Sequence, residues 1–367
     1  MVGWKYKRLL DSIVPCYENG VESFVGALSY CGLLVVLALF LLRKTNRMRI
    51  LQALGLIKEY DYLKDIEDNA NPHKPVLIWE NVLLFSQSHL LAVFALYLFV
   101  AVARWPTAVW AFLLWFFPSF AITGGAHMLY SHHSYKSTKF YDILMICLHS
   151  ASMQNSIIHW ARDHRCHHKF TDTDADPTNT KRGVFFSHTG WLLYEKHPDI
   201  IRKGRKIDIS DLTSNPVLAL QQKYLGLFYT VFHVFLPIFV PMFFWHERFW
   251  VCWFCCVTFP WIFGLNTAGL ANSYLHAVGT KPYNTKISAT DGPSWRHLIT
   301  LGSGDHNFHH AFPKDYTESE FRSPFLVTKS LIDFFGLFGM TYDKIVADPK
   351  TIRKQRERSK EKVELEY

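Results

Sequence analysis

Apolar residues are concentrated in five long runs, and polar residues separate these runs. Each run is about as long as the roughly 20 residues that a helix needs to cross a lipid bilayer. The runs cover residues 24–42, 82–102, 109–126, 225–245 and 250–274. Short polar loops around Arg104 and Glu247 join the second run to the third and the fourth to the fifth. The pattern therefore predicts an all-α membrane protein with two transmembrane hairpins.

The composition supports burial in a bilayer. Of the 367 residues, 49% are hydrophobic and only 19% are charged, which fits one membrane domain better than several soluble domains. Cys252, Cys255 and Cys256 lie within an apolar run, so we interpret them as reduced packing residues. Cys166 stands among histidines, where packing is favoured over a thiolate ligand. No nucleic-acid partner is expected.

Basic residues predict the orientation and the domain limits. Thirteen Lys and Arg fall within residues 127–223 and fourteen beyond residue 276, so the positive-inside rule places both segments in the cytosol. The first run is followed by four basic residues, which predicts a luminal N-terminus and an anchor in residues 1–74, with an interfacial or buried helix as the alternative. Residues 75–345 form the predicted main domain. Residues 346–367 form a charged cytosolic tail, for which solvation is favoured over contact with lipid head groups.

Nine histidines form four clusters at the ends of the apolar runs or in the polar segments between them. The clusters are HMLYSH (His127, His132), HRCHH (His164, His167, His168), NSYLH (His276) and HNFHH (His306, His309, His310). Histidines three or four positions apart share one helix face, so two such helices could bracket a pair of metal ions. The five-residue offset in HMLYSH turns about 140° around an ideal helix. Those two rings can converge only if the helix ends or kinks, which we expect near Ala126.

The ligand type narrows the choice of metal. Imidazole suits zinc, copper, iron and nickel, but nine nitrogens exceed what one tetrahedral zinc ion uses. Two iron ions would use every clustered histidine. Acids near the clusters could orient the rings by accepting their second N–H. The candidates are Asp163, Asp174, Asp176 and Asp305, and Asn272 could hold a metal-bound water.

With these clusters in place, the chain resembles the membrane acyl-CoA desaturases of the stearoyl-CoA desaturase family. The segments that carry the resemblance are WARDHRCHHKF, DTDADPTN, RGVFFSHTGWLL and GDHNFHHAFPKDY. The resemblance implies a mushroom-like helical fold with a di-iron centre under a cytosolic cap in the endoplasmic reticulum membrane. It also implies fatty acyl-CoA as substrate, contact with membrane lipids, and cytochrome b5 with its reductase as electron donors.

The resemblance further implies roles for individual residues. One iron would be bound by His127, His132, His164, His168 and His309. The other would be bound by His167, His276, His306 and His310, with Asn272 acting through water. Contacts to the acyl-CoA would come from Asn81, Asn155, Arg162, Asp163 and Lys196, while Gln154 and Trp160 would line an acyl tunnel.

The predicted activity is the oxygen-dependent introduction of a cis double bond into a saturated fatty acyl-CoA, at Δ9 by family default. One alternative is a histidine-cluster di-iron hydroxylase or monooxygenase, which would put oxygen into the product. The other is a non-catalytic membrane scaffold with the same fold, since fold alone does not imply function.

Several residues depart from the family pattern and bear on substrate choice. Met128 and Tyr130 replace an arginine and a tryptophan in the first cluster, and Glu195 replaces a basic residue that contacts coenzyme A phosphates. Gly269 stands where a tryptophan usually walls the tunnel, so the cavity should widen or another residue should fill it. Trp115 and Ser119 match positions near the closed end of the tunnel.

Overall fold

The computed structural model describes residues 75–321 and 323–365. The predicted anchor at 24–42 lies outside these residues. The described helices are α1 (Trp79–Ala101), α2 (Trp105–Ser131), α3 (Lys139–Ala151), α4 (Ile157–Phe170), α5 (Val184–His188), α6 (Pro198–Gly204), α7 (Ser210–Thr213), α8 (Pro216–Lys223), α9 (Leu225–Trp245), α10 (Phe249–Ala277), α11 (Trp295–Ile299), α12 (His306–Ala311), α13 (Val327–Leu337) and α14 (Pro349–Leu365). Two short strands, β1 (Lys136–Ser137) and β2 (Thr341–Tyr342), pair antiparallel. Single 3₁₀ turns occupy Thr180–Arg182 and Gly190–Leu192.

Four of these helices, α1, α2, α9 and α10, are long and apolar enough to cross a bilayer. They coincide with the four predicted runs that fall within the described residues, and they confirm the helical membrane fold. The largest difference is at the end of α2, which continues to Ser131 instead of ending near Ala126.

The membrane helices pack through small and apolar side chains. Ala95 on α1 is fully buried against a cluster on α10 that includes Phe254 and Cys255, and the ring of Phe94 meets that of Phe254 edge to face. The α10 cysteines are free and buried, as predicted. Close approach of this kind is typical of helices that associate inside a bilayer, where small residues let the backbones come together.

We call α3–α8 and α11–α14, with the loops between them, the cap. Its core joins the membrane helices through Phe120 of α2, whose ring stacks on Phe335 of α13 at 6.0 Å, while Tyr141 of α3 meets the same Phe335 edge to face. Ile332 is completely buried in this cluster. The continuous apolar contact fixes the position of the cap on the end of α2.

The predicted charged tail contains a helix, and the first half of that helix is docked on the cap. Ile352 of α14 is buried with Tyr283 and Phe308. The amide of Gln355 donates to the carbonyl of Tyr283 at 2.7 Å, and Arg356 pairs with Glu320. Because Phe308 belongs to α12, this docking supports the helix that carries the HNFHH histidines.

A buried glutamate links the two hairpin loops. Glu247 accepts hydrogen bonds from the backbone N–H of Arg104 (2.9 Å) and from the hydroxyl of Thr107 (2.5 Å). Trp245 donates its indole N–H to the same hydroxyl at 2.9 Å. The α1–α2 and α9–α10 hairpins are therefore joined at the end of the bundle that carries these loops.

We predict that Glu247→Ala lowers the free energy of unfolding by about 2–3 kcal/mol, because three donors, the N–H groups of Arg104 and Arg248 and the hydroxyl of Thr107, lose a charged acceptor. Thermal unfolding of the detergent-purified protein measures the effect. Glu357→Ala is the control, since Glu357 is exposed in its pair with Arg353 and exposed surface changes typically stay within about 0.5 kcal/mol. Equal melting temperatures for both variants would contradict the prediction.

Candidate metal centre and substrate cavity

A π-helix at the end of α2 brings the first two histidines together. Residues Ala121–Ser131 form π-helical turns, and the N–H of His132 donates to the carbonyl of His127 at 3.2 Å. In a π-helix the bond runs between positions five apart, so a five-residue offset returns to nearly the same face. The helix ends directly before His132, so its observed end lies about five residues later than the expected end near Ala126. The convergence comes from the π-helical turn.

The HRCHH and HNFHH histidines lie on two helices of the cap. Ser156 caps α4 by accepting a hydrogen bond from the N–H of His159 at 3.2 Å. The short helix α12 is held at its start by Asp291, whose carboxylate accepts from the N–H groups of Asn307 (2.7 Å) and Phe308 (3.0 Å). The side chain of Asn307 accepts from the N–H of Tyr283 at 2.8 Å. These local bonds fix both helices so that their histidine faces meet.

The nine histidines form two groups, and within each group the ligand nitrogens lie within 4.8 Å of one another. The first group contains His127, His132, His164, His168 and His309. The second contains His167, His276, His306 and His310. This division is the one that the family resemblance implies.

The spacing inside the first group suits a shared metal ion. The Nε2 atoms of His127 and His309 are 3.0 Å apart, and those of His132 and His164 are 2.9 Å apart. Two imidazoles about 2.1 Å from one ion and at right angles to each other would place their nitrogens about 3.0 Å apart. The five rings therefore fit a single ion.

The second group is slightly wider. The Nε2 atom of His310 lies 3.3 Å from that of His167 and 3.3 Å from that of His306. The Nε2 atom of His276 is buried and has no hydrogen-bond partner in the part of the chain that the structure describes. An orphaned buried nitrogen is costly unless a metal ion or water satisfies it.

The environment favours neutral rings. Burial, reinforced by the neighbouring histidines, holds the pKa of His164, His168 and His309 well below the ordinary value. Neutral imidazole has the free lone pair that a metal ion requires. These three rings of the first group can therefore offer their lone pairs to a metal ion.

Other side chains contact the ring nitrogens that face away from each group. Asp176 lies 2.8 Å from Nδ1 of His167, as predicted. Nδ1 of His276 lies 2.7 Å from the hydroxyl of Ser288, which donates to Asp172 at 2.5 Å. Sequence reasoning missed both residues: Ser288 is remote from every cluster in the chain, and Asp172, although it follows HRCHH, contacts Ser288 and not a ring of that cluster.

Three of the four predicted orienting acids do not contact a clustered histidine. Asp163 pairs with Lys196, and Asp305 accepts from the hydroxyl of Ser319 at 2.6 Å and faces His297. Asp174 is exposed. A buried carboxylate, Glu318, lies instead between His127 and His309 of the first group. The thiol of Cys166 donates to the carbonyl of Ala175 at 3.3 Å, which agrees with the packing interpretation.

One cavity of about 1420 Å³ reaches both histidine groups. It exceeds the roughly 300–1,000 Å³ of typical small-molecule pockets, so it has room for a long chain with a large head group. It touches both groups through His127, His164, His167 and His306. It is lined by every predicted substrate residue, namely Asn81, Gln154, Asn155, Trp160, Arg162, Asp163 and Lys196, and by Asn272.

Charged residues line part of this cavity. Asp163 accepts from Arg162 at 2.9 Å and pairs with Lys196. Burial alone would raise the pKa of Asp163, but Lys196, His159 and Arg162 hold it well below the ordinary value. Arg162 and Lys196 give this part of the cavity two cations that suit an anionic head group, while Asp163 and Glu195 oppose them with two carboxylates.

The wall between the charged residues and the histidines is partly aromatic. The Trp160 ring stacks on the ring of His164 with centroids 5.0 Å apart. Asn81 donates to the carbonyl of Leu192 at 2.6 Å, which ties the start of α1 to the loop before Lys196. These contacts give the cavity a fixed apolar wall next to the first group.

Comparison with known proteins identifies the family. Residues 103–318 match the sequence profile described as fatty acid desaturase. The chain belongs to the fatty acid desaturase family. It is 45% identical over 283 residues to Delta(9)-fatty-acid desaturase fat-7 of Caenorhabditis elegans, which covers 77% of this chain and 83% of that protein. It is 41% identical over 313 residues to (11Z)-hexadec-11-enoyl-CoA conjugase of Bombyx mori (85% and 93%) and 40% identical over 293 residues to Stearoyl-CoA desaturase 5 of Bos taurus (79% and 86%).

Two departures from the desaturase pattern lie outside the cavity lining. Met128 is fully buried in the apolar core. Tyr130 donates its hydroxyl to Asp142 at 2.8 Å. Both side chains therefore pack the end of α2, and the expectation that Tyr130 bears directly on the substrate is not supported by its position.

Gly269 lies on the cavity wall, where a tryptophan is usual in this desaturase family. A Cβ atom at this position would be 2.8 Å from the backbone carbonyl of His188 and 3.1 Å from its ring. The His188 ring is held by Ser273 at 2.8 Å and by Asn266 at 3.2 Å. His188 therefore fills the space beside Gly269, which is the second of the two predicted outcomes.

Near the predicted closed end, Gly264 and Ser119 also line the cavity. Trp115 packs behind them and donates its indole N–H to the hydroxyl of Thr267 at 3.3 Å. A Cβ atom on Gly264 would meet Trp115 and Ser119 at 3.6 and 3.7 Å, which is ordinary contact. The wall has room for a methyl group here but not at Gly269.

We predict that Gly269→Ala destabilises the protein by about 1–3 kcal/mol, because the added methyl group collides with a backbone atom. Gly264→Ala is the matched control in the same helix, and we expect it to be neutral or to stabilise by about 0.5–1 kcal/mol. Thermal unfolding of the two purified variants gives the comparison. A Gly269→Ala protein that melts at or above the temperature of Gly264→Ala would refute the steric argument.

Proposed function

We propose that this protein is an oxygen-dependent fatty acyl-CoA desaturase that removes two hydrogens from adjacent methylenes and leaves a cis double bond. The observation that carries the proposal is one cavity that borders both histidine groups, a fixed apolar wall and the cations Arg162 and Lys196. A ligand that fits this cavity has a long apolar chain and an anionic head group. Relatives named as fatty-acid and stearoyl-CoA desaturases agree with that substrate class.

We propose two iron ions, one in each histidine group. Imidazole alone does not select iron, but oxidation of an unactivated methylene requires a redox-active metal, which excludes zinc. When bound, the irons supply the oxidation of the acyl chain by oxygen. Asn272 borders the cavity beside the second group and would contribute through a water molecule.

The protein supplies binding and orientation. Lys196 and Arg162 hold the head group, so the distance from the thioester to the histidine groups selects the methylenes that react. Trp160 and Gln154 line the path, and the apolar wall excludes water from the reacting carbons. A chain held in one bent conformation reacts at one position, which is how binding determines where the double bond forms.

We propose Δ9 as the position of the double bond. The Caenorhabditis elegans relative is named a Delta(9) desaturase, which supports this position, and the Bos taurus relative is also named a desaturase. The name of the Bombyx mori relative refers instead to position 11. Glu195 lines the cavity beside Lys196 and adds a negative charge near the head group. Substrate choice in this chain therefore has to be measured on acyl-CoAs of several lengths.

The electron donor and the location are proposed from the family resemblance, and the charge of the chain is compatible with both. We propose cytochrome b5 and its reductase as donors, in the endoplasmic reticulum membrane, with the cap in the cytosol. The basic residues of the cap satisfy the positive-inside rule, and a net charge of +8 would steer an acidic donor toward this face. Reduction rates that do not change with ionic strength would contradict this steering.

Expression in yeast lacking its own desaturase tests the activity directly. We predict that cells fed saturated fatty acids accumulate a cis alkene at one position, located by mass spectrometry. His167→Ala should abolish the product while the protein remains in the membrane fraction, because it removes one ligand of the second group.

Other outcomes of this experiment would support the alternative functions. Hydroxylated fatty acids without an alkene would identify a monooxygenase. No product from an iron-loaded protein with donor present would favour the scaffold. A His167→Ala protein with full activity would contradict the metal assignment.

We predict that Lys196→Met raises KM for acyl-CoA about tenfold, equivalent to about 1.4 kcal/mol, with little change in kcat. The reason is that a head-group contact is made equally in the ground and transition states. Steady-state assays on microsomes measure both constants. Lys203→Met is the control, because Lys203 lies near the same loop but does not line the cavity; an equal effect from both lysines would argue against a specific contact.

A further inference from the structure

The carboxylate of Glu318 is buried between two histidines of the first group. Its Oε1 atom lies 3.1 Å from Nδ1 of His127 and 3.5 Å from Nδ1 of His309. Its Oε2 atom accepts a hydrogen bond from the hydroxyl of Ser303 at 2.9 Å. The side chain is only 2% exposed, so solvent does not compete for these contacts.

The three polar atoms at this contact lack other hydrogen-bond partners in the described part of the chain. Oε1 of Glu318 and the Nδ1 atoms of His127 and His309 are buried, and none of the three forms a hydrogen bond with residues 75–321 and 323–365, so their ion-pair distances to one another are their main polar contacts. Buried polar atoms are rarely left without partners. The carboxylate and the two ring nitrogens are therefore each other's nearest polar neighbours.

The opposite ring nitrogens face the metal site. The Nε2 atoms of His127 and His309 are 3.0 Å apart, and His309 Nε2 is also 3.0 Å from that of His168. A carboxylate on the Nδ1 side favours the tautomer in which Nδ1 carries the proton and Nε2 is free to bind a metal. The single carboxylate of Glu318 therefore favours the metal-binding tautomer of both the His127 ring and the His309 ring.

The backbone of the loop that carries Glu318 has an unusual conformation that directs the side chain inward. Glu318 has φ of +54°, a left-handed conformation that is uncommon for a residue other than glycine. Asp315 holds the turn by accepting from the N–H groups of Thr317 and Ala347, both at 2.8 Å. A strained residue that is over-determined by its surroundings is typical of a functional position.

The two groups differ in how their rings are held. In the second group, His167 and His276 have separate partners, Asp176 and Ser288. In the first, Glu318 spans two rings that come from different parts of the protein, since His127 is on membrane helix α2 and His309 is on cap helix α12.

We propose that Glu318 is a positioning residue that holds His127 and His309 as a pair, so that the first metal is bound between the membrane helix and the cap. The inference rests on the proposed metal centre. The Glu318 carboxylate orients two ligands, and its negative charge lies next to the first metal but not next to the second. The two metal ions should therefore differ in their dependence on Glu318.

Two substitutions at Glu318 distinguish the effect of its contacts from the effect of its negative charge. Glu318→Ala removes the contacts, whereas Glu318→Gln keeps an oxygen acceptor of similar size and removes the charge. Glu320→Gln is the matched control, because Glu320 is a neighbouring acid that pairs with Arg356 and Tyr283. Purified proteins are loaded with ferrous iron, and iron content is followed during titration with a competing chelator.

We expect Glu318→Ala to lose one of two iron equivalents at about 10- to 100-fold lower chelator concentration than the parent, a typical effect of removing a side chain that orients a metal ligand. Glu318→Gln should retain both irons but show a higher reduction potential for one of them, because a negative charge that stabilises the oxidised ion is gone. A role in folding alone would not move that potential. Glu320→Gln should match the parent in both measurements.

The outcomes distinguish the inference from the proposed function. If the parent binds two irons and Glu318→Ala and Glu318→Gln match it in affinity and potential, the positioning role is wrong and the metal centre stands. If the parent binds no iron, the metal centre itself is wrong. If Glu318→Ala does not fold, the potential measured on Glu318→Gln decides.

Discussion

Nine imidazole rings packed together determine much of the organisation of this protein. Each ring has two nitrogens, and burial makes an unsatisfied nitrogen costly, so the surroundings must provide a partner on both sides. On one side the rings converge at about 3 Å, the spacing that a shared ion requires. On the other side Glu318, Asp176 and Ser288 approach. The rings are held in this arrangement by the hydrogen bonds at the starts of α4 and α12 and by the π-helical end of α2.

The centre also joins the membrane helices to the cap. His127 and His132 arrive from α2, His276 from α10, and the other six from cap helices α4 and α12. The aromatic contact between Phe120 and Phe335 holds the same junction by apolar packing. Because the cavity runs along this junction, a ligand in it touches residues of both parts. Any movement of the cap relative to α2 would change the metal ligands and the cavity wall together.

Periodicity in the sequence predicted the two hairpins and the helix faces that carry the histidines, whereas the family and the grouping of the histidines came from the resemblance of whole segments. HRCHH is informative because a helix places positions three and four apart on one face, and the long apolar runs have a length that only the bilayer explains. The π-helix was not predictable from HMLYSH, since no residue type specifies it. Glu318 and Ser288 reach their histidines across the fold, and His188 of the short helix α5 fills the space beside Gly269 on α10. Such contacts depend on tertiary packing, which leaves no local pattern.

The docking of α14 has a consequence for how the centre is assembled. Ile352 covers Phe308 on the back of α12, and Arg356 pairs with Glu320, two residues beyond Glu318. A ribosome makes these supporting residues about 40 positions after the histidines of α12. Until α14 has been made, α12 lacks this backing and is held at its start by the contacts of Asp291 and Asn307. Packing behind the α12 histidines is thus completed only when the residues of α14 have been made.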